Sequence, residues 1–350
     1  MSQINLFNTK TTPLVILAEG CFGEENTKII SALVRYGNWP IVAGLDSTRA
    51  GKTSKEILGY GVDFPIVSSI EEAMKYNPAA MLIGIAVQGG ELPYEWRQII
   101  LNAIDNGLDI INGLHFFLNE DEEISKKAEE KGKILWDVRE PLLPNRVCKN
   151  LPRPSKPKVV LTVGSDCSCG KMFTTLELEK TIKKSLFLAT GQTGILISGS
   201  GIPLDRIIGD FMAGAAEHLV HSNLNENLDW LLVEGQGSLI HPSFSGVTMA
   251  LMHGCAPDAM ILCHTASRKY LKKFDIPIPS MNRLVEVYET AMGFIKPARV
   301  VGISLNCFDL DDDATDRILK ETEDMTGLPT VEPLKTGVER LYESLVEELD

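Results

Sequence analysis

The sequence predicts an α/β protein of two domains, each built on an open parallel sheet. Three observations carry that prediction. Short apolar runs alternate with stretches of helical spacing, prolines cluster near the middle of the chain, and a glycine-rich loop joins a strand to a helix in the second half. With 350 residues the chain is long for one hydrophobic core and ample for two. At 44% hydrophobic and 23% charged residues it sits among ordinary globular proteins, which sets aside disorder, collagen-like repeats and coiled coils.

In the first half, residues 14–18 form a short apolar run that ends in a turn from Gly20 to Gly23. Ile29, Ile30, Leu33 and Val34 then carry helical spacing towards Tyr36, and residues 41–45 are a second apolar run ending at Asp46. Ser68 and Ser69 stand three residues before Glu71 and Glu72, a capping box for the next helix. Residues 79–87 read as a fully buried strand, 95–106 as a helix stopped by Gly107, and 109–111 as a strand. A helix over 121–131 and a strand over 134–138 follow. Buried strands separated by helices are parallel βαβ units, so residues 1–140 are expected to form an open, doubly wound sheet. Pro141, Pro144, Pro152, Pro154 and Pro157 fix φ and remove backbone donors, making residues 141–157 a linker. Residues 158–350 repeat the α/β pattern: a strand at 158–163, a glycine loop, a helix over 171–184, and strands at 194–198, 230–233, 259–264 and 299–306.

Charge and cysteine content narrow the partners. The 34 basic and 47 acidic residues give a net charge of −13, which repels phosphate backbones and anionic bilayers. Seven scattered cysteines, an odd number, make a poor disulfide framework. The apolar run at 13–18 is too short for a leader, and 79–87 falls well below the ~20 residues of a spanning helix. The expectation is a soluble, cytoplasmic protein acting on a small molecule, with no nucleic-acid or membrane partner. At this size a homo-oligomer is expected.

The densest chemistry lies in Gly164-Ser165-Asp166-Cys167-Ser168-Cys169-Gly170-Lys171, between a strand and a helix. Successive N–H groups of such a loop converge on an anion, the helix N-terminus favours negative charge, and the lysine adds a full positive one. Two departures from GxxxxGK[ST] stand out: five residues separate Gly164 from Gly170, and Met172 replaces the hydroxyl that sits on Mg²⁺. Thr174 and Thr175, one turn on, are expected to compensate in part. The spacing resembles the G-T-D-x-x-x-G-K loops of dethiobiotin synthetase and its ATPase relatives. That resemblance implies an acidic residue beside the phosphates in Glu234-Gly235-Gln236-Gly237, and an adenine-reading Asn306.

Other loops supply polar groups. Gln192 and Thr193 suit a substrate carboxylate or amide, Asp205 and Asp210 a cation or ammonium, and Arg139 a carboxylate bound in bidentate fashion. His241, just past the Glu234 segment, is a candidate base. Cys167 and Cys169 lie where a thiol pKa is lowered, but small side chains of any kind suit the loop, and they are read as loop residues. Cys255, Cys263, His253 and His264 match no zinc spacing and are read as packed core, so no metal site is expected. Gly20-Cys-Phe-Gly23 with Asp46 falls short of the dinucleotide fingerprint GxGxxG.

Taken together, AEGCFG, LDSTRAGK, DVREP, GSDCSCGK, TGQTG, DFMAGAAE, VEGQGSL, HTASRK and GISLN resemble the D-glutamate N-acetyltransferase family of the DgcN type, over nearly the whole chain. The resemblance implies a Rossmann-like N-terminal domain, a C-terminal P-loop NTPase-like α/β domain, and acetyl transfer from acetyl-CoA to the amine of D-glutamate. Such a reaction needs a base, oxyanion donors and cations for carboxylates. The candidates are Glu234, His241 and Asp210 for catalysis, with Arg139, Gln192, Thr193 and Arg268 for the substrate. Residues 164–172, Thr174 and Asn306 are the candidates for the cofactor. The alternative is an ATP- and Mg²⁺-dependent kinase or ligase of the dethiobiotin synthetase type; a third reading is a nucleotide sensor without turnover.

Overall fold

The computed structural model describes residues 6–24, 27–85, 92–141, 143 and 145–349. Its contacts divide the chain into two units: Met1–Leu142 with Gln192–Pro203, and Leu143–Gly191 with Leu204–Asp350.

The first unit holds β1 (Leu14–Leu17), β2 (Ile41–Leu45), β3 (Ile66–Val67), β4 (Ala80–Ile83), β5 (Asp109–Asn112) and β6 (Leu135–Asp137). All pair in parallel, in the order β3-β2-β1-β4-β5-β6, which is the Rossmann order. β1 and β4 are buried along their whole length. That is why they read as unbroken apolar runs: helices cover both faces of a parallel sheet. Ser69 caps its helix by accepting from Glu72 N, and the Asp121 carboxylate does the same for Ile124 N.

The second unit holds β7 (Lys158–Gly164), β8 (Ser185–Leu188), β9 (Trp230–Val233), β10 (Ala259–Thr265), β11 (Arg299–Asn306) and β12 (Thr330–Val331). They too are parallel, in the order β12-β11-β10-β7-β9-β8. The strand β7 lies inside the sheet, between β9 and β10, and its carboxyl end opens into residues 164–171. Crossovers leave β7 towards both edges, and such a point is where open α/β sheets bind ligands.

Three sequence expectations change. Residues 194–198 are not a strand but part of the helix Gln192–Ser198, assigned to the first unit. There it packs on the helix Lys28–Tyr36, and Trp39 Nε1 donates to Leu196 O at 2.6 Å. The β-branched Ile195 and Ile197 suggested a strand, but a short, fully buried run carries no usable periodicity. The expected helix over 171–184 ends at Thr181, and β8 follows directly. The proline-rich segment is also held in place. Glu217 accepts from Lys149 N at 3.0 Å and Leu151 N at 2.8 Å, and a Cβ on Gly214 would lie 2.0 Å from Arg146 O. The end of the expected strand at 79–87, and the turn Gln88-Gly89-Gly90, lie outside the described residues.

Candidate active site

The loop after β7 is open to an anion. Gly170 takes φ +103°, a conformation only glycine adopts without strain, and so starts the helix Lys171–Thr181. A Cβ on Gly164 would meet Cys169 Sγ at 2.7 Å and Lys171 Nζ at 2.8 Å. Among the described residues no protein acceptor meets the backbone N–H groups of Ser168, Cys169, Gly170, Lys171 or Met172. Five amides at a helix N-terminus are a nest for negative charge. Lys171 is buried. Its Nζ donates to Asp166 O at 2.8 Å and Gly237 O at 2.9 Å. Burial works against its charge, yet the acids around it, Cys169 first and then Cys167 and Tyr288, leave its pKa above the ordinary lysine value.

The loop is braced from three sides. Arg268 NH1 donates to Asp166 Oδ2 at 3.0 Å and Cys167 O at 2.7 Å. The fully buried Asp166 carboxylate also accepts from Lys272 N at 2.7 Å and Cys167 N at 2.6 Å. Arg268, a candidate for substrate carboxylates, is therefore engaged in the loop itself. Ser165 Oγ lies 2.7 Å from Nδ1 of His264, whose pKa falls to about 4 through burial and then Arg268, with Asp166 opposing. His264 had been read as core; its place at the end of β10, beside β7, was the signal that it faces the loop. Tyr288 supplies the third contact, its hydroxyl donating to Gly164 O at 2.6 Å.

The segment after β9 completes the site. A Cβ on Gly235 would fall 1.6 Å from Thr162 O and 3.0 Å from Lys171 Cδ, so only glycine lets this strand end lie so close to the lysine. Glu234 Oε2 accepts from Thr190 N at 3.0 Å and Gly191 N at 3.2 Å, which ties the ends of β8 and β9 together. His241 is buried between Phe244 and Phe274, with ring centroids 4.7 and 5.3 Å away. Its Nδ1 accepts from Ser243 N at 3.1 Å, which assigns the proton to Nε2, 3.7 Å from Asp166 Oδ1. His241, a candidate base, therefore turns Nε2 towards the loop. Donor atoms of Asp166, Cys167 and His241 lie within 4.8 Å of one another. In this group Asp166 is held by Arg268, and Nε2 of His241 stands beside it without a hydrogen bond.

The remaining candidates divide. Asn306 stays at the site, its Cβ 3.5 Å from where a Gly170 Cβ would be, while its Oδ1 accepts from Phe308 N. Thr174 and Thr175 do not compensate for Met172. Thr174 Oγ1 donates to Gly170 O and bonds Ser304 Oγ, Thr175 Oγ1 donates to Lys171 O, and both are buried. Thr174 is thus packed behind the loop. Cys263 and Cys255 are core thiols, pushed up to about 12 by burial. Asp210 is exposed on the first turn of the helix Gly209–His221. Arg139, Gln192 and Thr193 belong to the first unit. Arg139 Nε donates to Gly113 O at 2.9 Å, and a Gly113 Cβ would lie 3.5 Å from Gln192 Cγ, so those two flank one glycine. In the same unit the Gly20–Gly23 turn is closed by Asp46, which accepts from Gly20 N at 3.1 Å and Phe22 N at 2.9 Å.

Comparison with known proteins meets this geometry. Residues 146–342 match the C-terminal DUF1611 family model, described as a P-loop domain of unknown function. Residues 47–141 match the N-terminal one, described as a Rossmann-like domain. The chain belongs to the DUF1611 family. The crystal structure of a DUF1611 protein from Anabaena variabilis is 35% identical, with a TM-score of 0.90 over 96% of this chain and 100% of that one. Two curated relatives, from Tritonibacter scottomollicae and a Pseudoalteromonas species, are both named D-glutamate N-acetyltransferase. They are 41% and 40% identical over 283 residues, 79% of this chain and 84% of each relative. The family resemblance read from the motifs is borne out. So are the two fold classes, with the whole site at residues 164–171 and 234–241 inside the DUF1611 P-loop match.

Proposed function

We propose that this chain is an N-acetyltransferase that moves the acetyl group of acetyl-CoA to the amine of D-glutamate, with the loop at 164–171 holding the cofactor's phosphates. The observation that carries the reading is the set of five N–H groups, from Ser168 to Met172, that meet no protein acceptor among the described residues, with the Lys171 ammonium beside them. The donor set suits a diphosphate: backbone amides, one lysine, and glycines at 164 and 170 where a Cβ would intrude or be strained. It suits Mg-nucleotide hydrolysis poorly, since position 172 has no hydroxyl and those of Thr174 and Thr175 turn inward. Bound acetyl-CoA would supply an activated thioester. The acetyl C–S bond breaks, the C–N bond forms, one ammonium proton passes to the leaving thiolate and another to a base. Glu234 is assigned as that base, with Oε2 held by two amides. Arg139, Gln192 and Thr193 are assigned to the acceptor's carboxylates, by charge and hydrogen-bonding type.

Among the described residues no helix is long and apolar enough to cross a membrane. Together with the net charge of −13, this supports a cytoplasmic enzyme acting on a small molecule; we assign it a homo-oligomeric state. The test is mass spectrometry of D-glutamate incubated with acetyl-CoA in the presence of EDTA. N-acetylglutamate is expected, and Glu234→Gln should lower kcat far more than it raises either KM. Absence of product, together with Mg²⁺-dependent ATP turnover on an acidic substrate, would replace this reading with the kinase or ligase one.

A further inference from the structure

We infer that Tyr288 is a positioning residue for the phosphate loop. This rests on the reading that the loop holds the phosphates of CoA. Tyr288 comes from the helix Met281–Gly293 and is fully buried. Its hydroxyl donates to Gly164 O at 2.6 Å and accepts from Leu239 N at 3.1 Å. Gly164 is the first residue of the loop. Leu239 stands two residues after Gly237, whose carbonyl takes Lys171 Nζ, and two before His241, which faces Asp166. The contacts therefore form a closed circuit: along the loop from Gly164 to Lys171, across to Gly237, on to Leu239, and through one phenol oxygen back to Gly164.

Binding an anion acts on one link of that circuit. Lys171 Nζ has its three donors on Asp166 O, Gly237 O and, at 3.5 Å, Cys169 Sγ, so to reach a phosphate it has to give up at least one of them, and where that is Gly237 O the circuit loses its link across. The loop and the 234–241 segment are then tied at that edge by Tyr288. Burial pushes the phenol's pKa up, against its hydrogen bonds to Ser238 and Leu239, so it stays a neutral donor and acceptor. Phenylalanine would keep the ring in its packing and remove every hydrogen bond of the hydroxyl, those to Gly164 O and Leu239 N included. The loss is therefore expected to fall more on the liganded loop than on the empty one.

The test is Tyr288→Phe, with affinity for CoA and for inorganic pyrophosphate measured by calorimetry alongside steady-state kinetics. A rise of tenfold or more in both dissociation constants is expected, with KM for acetyl-CoA raised and KM for D-glutamate unchanged. Affinities within twofold of wild type, accompanied only by a lower Tm, would reduce Tyr288 to a structural residue while leaving the CoA reading intact. A wild-type protein that binds neither probe would remove that reading and this inference with it. If the variant does not fold, amide exchange on wild type decides. CoA should slow exchange at Leu239 together with Ser168 to Met172, and an unresponsive Leu239 overturns the proposal.

Discussion

Each half of this molecule contains a turn between the first strand of a parallel sheet and a helix, and the two turns were given opposite fates. After β1, the amides of Gly20 and Phe22 are occupied by Asp46, a fully buried carboxylate at the end of the neighbouring strand. After β7, five amides keep no protein acceptor among the described residues, and the loop's own carboxylate, Asp166, is drawn aside by Arg268 and Lys272 N. A strand–turn–helix corner is electrostatically ready for an anion wherever it occurs. Whether it becomes a ligand site depends on whether the protein fills it with a carboxylate of its own. The first turn is closed by the protein itself, while the second keeps its amides open for the anion we propose.

The sharpest way to break that contrast is to remove the cation. Lys171→Ala should weaken CoA binding at least a hundredfold, about 2.7 kcal/mol, because a desolvated ammonium beside a diphosphate has no substitute in the loop. It should also cost some stability, since Nζ bonds two carbonyls in the free protein. Calorimetry that finds CoA affinity unchanged would show that the open amides are not the phosphate site. Asp46→Ala is the counterpart. It should destabilise the first unit by about 2 kcal/mol, through buried donors left unpaired, and leave CoA affinity alone. Next in size is a pair of glycine substitutions. Gly170→Ala at φ +103° and Gly20→Ala at φ +75° both strain the backbone, by roughly 1–3 kcal/mol each. Only the first should lower CoA affinity, and equal effects on binding would erase the difference between the turns.

Much of this contrast was legible in the chain, and what was hidden is physically specific. The strand β9 was readable to the residue because a buried parallel strand shows as an unbroken apolar run, and β11 because its β-branched and apolar residues dominate between two polar ends. The loop was readable because glycine, lysine and a following helix recur at a fixed spacing. The contacts of Arg268 and His264 with the loop were hidden because they depend on which strand ends come together, a property of the order β10-β7-β9 that no local window holds. Tyr288 was invisible for the same reason: a tyrosine inside a helical stretch looks like core until its hydroxyl is found on Gly164 O. Helix Gln192–Ser198 was misread as strand because its apolar residues are buried on every side.

Acid separates the halves by a smaller margin. His264 has a folded pKa of about 4, below its unfolded value near 6.5, so the unfolded chain binds the proton first. Its contribution, on the order of 3 kcal/mol, is complete above pH 6.5 and is lost as pH falls towards 4. For Asp46 burial raises the pKa but the hydrogen bonds from Thr48, Phe22 and Gly20 outweigh it, so the folded value lies below the ordinary one. Its contribution is present above pH ~4 and is lost only as pH falls further, through the folded value. Between pH 6.5 and 4.5 the second unit should therefore lose Tm while the first holds. His264→Gln should flatten that slope, and a slope that persists in the variant would assign it elsewhere.

The smallest expected change is at Met172. Restoring a hydroxyl with Met172→Thr should shift the CoA dissociation constant by less than twofold, and adding Mg²⁺ or EDTA should change nothing. In the proposed complex residue 172 would contribute its amide, which the substitution keeps, while its side chain is not among the loop's charged or donor groups. A hydroxyl alone does not make a cation site either, since Glu234 Oε2 is already engaged by two amides and Asp166 by Arg268. A tighter Mg²⁺-dependent ATP complex in the variant would mean that one side chain separates this loop from a nucleotide-hydrolysing one. A collapse of CoA binding would mean that the methionine itself packs on the ligand.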